Sequence, residues 1–156
     1  MRSKQKGFSL IELLIVVAII LIIAAIAIPN LLRSRMAANE ASAVGSMRTI
    51  NTACVTYSST YGIGFPALLS NLQPPGPATS TQADLIDQGL AKGTKSGYTF
   101  SYVAGGAVGG VIPTYALNGD PINVGTTGQR HFYTDQSGVI RFDAAAVATN
   151  ASVPIS

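Results

Sequence analysis

A chain that carried out catalysis would need titratable or metal-binding side chains in sets, and few are present here. His131 is the only histidine and Cys54 the only cysteine in 156 residues. A metal site of the usual nitrogen and sulfur type therefore cannot be assembled within the chain. His131 follows Arg130 in a predicted strand and reads as a structural or surface residue. Cys54 has no partner for an intrachain disulfide and reads as a small buried hydrophobe. Asp84, Asp87, Asp120, Asp135 and Asp143 fall in or near predicted loops or turns, where a calcium site is conceivable, but they lack EF-hand spacing. "GGAVGG" (105–110) lacks the Lys-Ser/Thr ending and following helix of a phosphate loop. Asn150-Ala151-Ser152 is a glycosylation-type tripeptide, too short a pattern to carry weight. The expectation is no catalytic residue, no cofactor and no metal.

The carboxylate in an unusual place is Glu12. It interrupts a run in which Leu13 to Ile28 are sixteen consecutive apolar residues. Extended back to Phe8, the run as a helix is roughly 30 Å long, about the thickness of a bilayer's hydrocarbon core. A buried core helix is the alternative, but this run is apolar on all sides and the rest of the chain is too small to enclose it. A charge inside such a segment costs a few kcal/mol or more and marks a functional position. Glu12 either snorkels to the headgroups from near the start of the run or is held deeper against a positive partner. Only Arg2, Lys4 and Lys6 offer that charge within reach.

Those three account for the net charge of +3, since the remainder carries seven basic and seven acidic side chains. No specific nucleic-acid site is therefore expected. A basic cluster ahead of an apolar segment instead holds that end of the chain in the cytoplasm. A cleaved secretory signal would share the basic tip, with Ala24, Ala25 and Ala27 mimicking its cleavage site. Its apolar region would be shorter, and helical sequence would not continue past it.

Here it does continue. Leu32, Met36, Ala43, Met47, Ile50, Cys54, Tyr57 and Tyr61 recur at helical spacing as one apolar stripe. Arg33, Arg35, Glu40 and Arg48 fall mostly off it, toward polar surroundings. Residues 8–61 thus read as one long helix, kinked at Pro29 because proline cannot donate its backbone bond.

At this point the sequence is recognisable. A basic leader ending in Gly7, then Phe8-Ser9-Leu10-Ile11-Glu12 ahead of a long apolar helix broken by Pro29, closely resembles the class III signal of type IV prepilins. The resemblance implies that a prepilin peptidase cuts between Gly7 and Phe8 and methylates the new Phe8 amine. It implies that Glu12 pairs with the Phe8 amine of a neighbouring copy, and that the helix bends at Pro29. The implied partners are copies of itself, the peptidase, the inner-membrane assembly machinery and, before assembly, the membrane. The chain would be a single-pass inner-membrane precursor and then part of an extracellular pilus, or of a periplasmic filament if it is a pseudopilin of type II secretion. Major pseudopilins usually carry a Pro-Trp-Gly-type motif, and this chain has no Trp. A monomeric membrane-anchored binding protein is the third reading, and it lacks a recognisable pocket chemistry.

The expected fold class is α+β, pilin-like. It comprises a leader (1–7), a membrane or filament-core half-helix (8–30), an amphipathic half-helix (31–61) and a globular head (62–156) with a small antiparallel sheet of three or four strands. "PALLSNL" (66–72) suits a helical turn, and "ADLIDQGLAKG" (83–93) a short helix starting near Asp84 and ended by Gly89 or Gly93. In "YTFSYVAG" (98–105), Tyr98, Phe100 and Tyr102 alternate with Thr99 and Ser101 as in a half-buried strand. "VIPTYALN" (111–118) is a second strand, with Pro113 favouring an edge or irregular position. "RHFYT" and "VIRFD" flank Asp135-Gln136-Ser137-Gly138 as a hairpin. The tail from Ala144 shows no firm structure. The eleven aromatic residues, six Tyr and five Phe, suit a sheet-on-helix core better than an electron path.

Overall fold

The computed structural model describes residues 7–74 and 76–155. The leader residues before Gly7 lie outside the described residues. The chain divides at Arg35/Met36 into two compact units. Helix α1, Leu10–Tyr61, contributes residues to both.

In the N-terminal unit the helix runs through Pro29. Proline's missing N–H leaves the Ala25 carbonyl without its helical donor. In the C-terminal unit the apolar stripe is buried from Ala43 through Met47, Ile50, Ala53, Cys54 and Tyr57. At the other end of the stripe Leu32 stays exposed.

That stripe packs on an antiparallel sheet in which each strand pairs with the next: β1 (Thr94–Lys95), β2 (Tyr98–Ala104), β3 (Tyr115–Pro121), β4 (His131–Asp135), β5 (Arg141–Asp143) and β6 (Val153–Pro154). The sheet has six strands where three or four were expected. The additions are the two-residue edges β1 and β6, too short to show a period of two. β2 alternates as its sequence predicts, burying Tyr98 and Phe100 while Thr99 and Ser101 face solvent. β3 begins two residues beyond Pro113 and buries Tyr115 and Leu117. β3 pairs on both sides, so a proline lacking its N–H cannot be accommodated in mid-strand there. The β4–β5 turn closes where expected, with Gly138 at φ +73°, a conformation that costs any Cβ-bearing residue.

Two expectations are corrected. The short helix α2 is Gln88–Ala91, and its N-cap is Asp87, whose Oδ1 accepts the Leu90 amide at 2.9 Å. Asp84 instead sits at φ +53°, because the amides from Ala83 to Ile86 are drawn to the carbonyls of Asn71, Leu72 and Gln73 beside the 3₁₀ turn Leu69–Leu72. The tail is also structured: β6 pairs with β5, and Asn118 Nδ2 donates to the Ala148 carbonyl at 2.9 Å.

Candidate functional site

The N-terminal unit presents an unusual surface. All its large apolar side chains from Phe8 (80% exposed) to Leu32 are exposed, and none of its most apolar 18-residue window, of mean hydropathy 3.3, is buried. A contiguous apolar surface of this size needs a bilayer or other protein to cover it.

At its start, Gly7, Phe8 and Ser9 precede the helix. Ser9 is the N-cap residue: its carbonyl accepts the Leu13 amide at 3.2 Å, while its own amide donates to Glu12 Oε2 at 2.9 Å. Ser9-x-x-Glu12 is thus the Glu half of a capping box, with the carboxylate at the positive end of the helix dipole. The sequence carries this signal, but next to the question of burial it is easily passed over. The space around Gly7 is open, with no atom of the described residues within 4 Å of where a Cβ would stand. Among the described residues, no packing contact demands glycine there. Pro29 lies about 25 Å farther along the helix, well away from the Phe8–Glu12 group.

The C-terminal unit holds charge pairs that sequence reasoning missed. Glu40, expected in polar surroundings, is buried at 8% exposure and grips the β3–β4 loop. Its Oε1 accepts the amides of Gln129 (2.8 Å) and Arg130 (3.2 Å), and its Oε2 accepts Arg130 Nε (2.7 Å). Burial alone would raise its pKa. The Gln129 amide and the Arg130 side chain outweigh that and hold the carboxyl below its ordinary range. Arg130 also lies over the rings of Phe132 and Phe142 at 5.6 and 5.4 Å. Next to Glu40, Asn39 Nδ2 donates to the Thr127 carbonyl at 2.8 Å.

His131 is in a strand, as expected, with Nδ1 at 2.6 Å from Asp120 Oδ1. No cluster among the described residues could hold a metal ion. Cys54 is buried, and desolvation pushes its thiol up to about 12. Three tyrosines pack in or against the core with hydroxyls that find carbonyls: Tyr57 donates to Ser80 at 2.6 Å, Tyr102 to Pro66 at 2.7 Å and Tyr98 to Arg130 at 2.9 Å. Burial raises the pKa of all three.

Comparison with known proteins bears on the Gly7–Glu12 group directly. Residues 2–28 match the family model described as the prokaryotic N-terminal methylation motif. The chain is 36% identical over 130 residues to a type IV major fimbrial protein of Dichelobacter nodosus, covering 76% of each. It belongs to the type IV pilin family. It is also similar to the type IV wide pilus major component of Thermus thermophilus, at 41% identity over 102 residues, 65% of this chain and 66% of that protein. A shorter match, 43% over 56 residues, links it to the type IV major pilin of Myxococcus xanthus. That match spans 36% of this chain and 26% of the relative. No solved structure matches significantly. As a pilin the chain is a structural subunit and not an enzyme.

Proposed function

We propose that this pilin is cut between Gly7 and Phe8 by a prepilin peptidase, methylated on the Phe8 amine, and polymerised through its N-terminal helix into an extracellular pilus. The observation that carries the reading is the uncovered apolar surface from Phe8 to Leu32 with Glu12 at its head. Before assembly a bilayer covers that surface, and residues 8–30 anchor the precursor in the inner membrane. In the fibre, the helices of other copies replace the lipid, delivered by the inner-membrane assembly machinery.

Cutting after Gly7 has two physical effects. It removes Arg2, Lys4 and Lys6, charges that a filament interior cannot solvate. It also creates an ammonium at Phe8, which can meet a neighbour's Glu12; paired, the two are far less costly in a low-dielectric interior than either alone. Until then Glu12 has the Ser9 amide of its own chain as a partner. Pro29 supplies the point at which the helix bends or loosens as the subunit leaves the bilayer. Among the described residues nothing packs where a Cβ would stand at Gly7, which supports a requirement imposed by the peptidase.

The test combines electron microscopy of fibres sheared from cells with mass spectrometry of their subunit. Fibres of this chain beginning at methylated Phe8 are expected. Glu12→Val should still insert and be cut but should assemble poorly, and Gly7→Trp should leave an uncut precursor in the inner membrane. Normal fibre yield from Glu12→Val would overturn the pairing. Short periplasmic structures in place of surface fibres would favour a secretion pseudopilus.

A further inference from the structure

The C-terminal unit carries a notch of about 360 Å³ that the assembly reading does not use. It opens where β2 ends, β3 begins and β4 ends, bordered by the turn at Asn150. Along β3 and β4 the buried residues Tyr115, Leu117, Phe132 and Thr134 face the helix, so Ala116, Tyr133 and Asp135 lie on the opposite face of the sheet. Val103 and Ala116 share that face with Tyr133, and the short Ala116 side chain leaves the depression beside the ring. Around it stand Thr114, Gln136 and Asn150, all exposed and none engaged in a side-chain hydrogen bond among the described residues.

The segments presenting those amides are held in place. The Asn150 turn is closed by the Ser152 amide donating to the Thr149 carbonyl and the Thr149 amide donating to Ser152 Oγ, both at 3.0 Å. It is tied down further by Arg141 Nη1, which donates to the Ser152 carbonyl at 3.0 Å. Gln136 sits in the turn in which Asp135 Oδ1 accepts the Ser137 amide at 2.9 Å. With the backbone held, only the Gln136 and Asn150 side chains need to be ordered when a ligand engages them.

From this arrangement we infer that the notch binds a neutral sugar. Two carboxamides, each with a donor and an acceptor, match the adjacent hydroxyls of a pyranose. The Tyr133 ring, negative on its face, suits the weakly positive C–H groups of the sugar. No Lys, Arg or His lines the notch, and Asp135 at its rim disfavours an anion. The volume is at the small end of ligand pockets, roughly 300–1,000 Å³. The inference stands apart from polymerisation, because the notch lies wholly within the C-terminal unit and involves neither Phe8 nor Glu12.

The test is saturation-transfer NMR on the full chain in zwitterionic detergent, since a glucoside or maltoside headgroup would itself compete. Glucose, galactose and glucuronate are the probes. A neutral hexose should bind with a Kd on the order of 1 mM. Asn150→Ala and Gln136→Ala should each weaken it about three- to tenfold, with unchanged near-UV circular dichroism. Glucuronate should bind more weakly than glucose. No transfer to any of the three, equal binding in both variants, or a preference for glucuronate would overturn the assignment.

Discussion

Replacing Glu40 tests how helix and loop are held together. Truncation to Ala removes three acceptor contacts and leaves the Gln129 and Arg130 amides and the Arg130 guanidinium without their partner. Hydrogen bonds to a charged group contribute about 1.5–3 kcal/mol each, and breaking a buried ion pair costs about 3–5 kcal/mol. The Arg130 side chain is 40% exposed, so water recovers part of its loss. The net expectation is about 2–4 kcal/mol, a large fraction of the roughly 5–15 kcal/mol of a typical domain. At this size that corresponds to a fall in Tm on the order of 10 °C. Tyrosine near-UV circular dichroism reports the transition, since the chain has six Tyr and no Trp. Glu40→Gln, nearly isosteric, should lose less than Glu40→Ala, and a double-mutant cycle with Arg130→Ala should show strong coupling. The pH dependence follows from the depressed pKa of Glu40 in the folded state. Its stabilisation is complete above the unfolded carboxyl value, about 4.3, and is lost as the pH falls through the lower folded value. Asp87 and Asp143 are depressed too, the first chiefly by Lys95 and the second by the Ala145 and Ala146 amides, so Glu40→Gln should flatten the acid limb without abolishing it. A Glu40→Ala protein melting within 2 °C of the parent would refute the reasoning.

Two further outcomes follow from packing. Gly128→Ala would drive a Cβ into the Tyr98 hydroxyl, which donates to the Arg130 carbonyl, so it should destabilise by about 1–3 kcal/mol in a denaturant melt. A wild-type-like melt would show that the ring can move aside. Cys54, buried with its thiol pushed up to about 12, should resist a thiol reagent at neutral pH and react in full once the chain is unfolded by urea. Rapid labelling of the folded protein would contradict the placement of Cys54 in the core.

The parts of the fold legible in sequence are those with local, repetitive causes. The stripe from Ala43 to Tyr57, the alternation of Tyr98 and Phe100, and the Gly138 turn each follow from a period or from one backbone requirement. The parts missed depend on partners distant in sequence. Glu40 looked like a surface residue because its acceptor role is fixed by amides 89 and 90 positions away. Asp84 and Asp87 are equally good N-caps by type. What disqualifies Asp84 is the pull of the 3₁₀ turn on its own amide and its neighbours'. β6 is two residues long and exists only because β5 is there to pair with it. At the candidate site, Gly7, Phe8, Glu12 and Pro29 were legible as a spaced motif. The Ser9 amide as a partner for Glu12 became evident only with the helix start in place.

The short outer strands have a consequence for crowding. Subunits held side by side at very high local concentration invite strand addition from one sheet to the next, the route to cross-β aggregation. The outermost strands are only two residues long, and on β6 one of them is Pro154, which has no N–H to give. A strand arriving at β6 finds almost no backbone ladder to extend. On the other side β1 covers only Tyr98 and Thr99 of β2, so strand addition between crowded subunits would have to start on the stretch from Ser101 to Ala104.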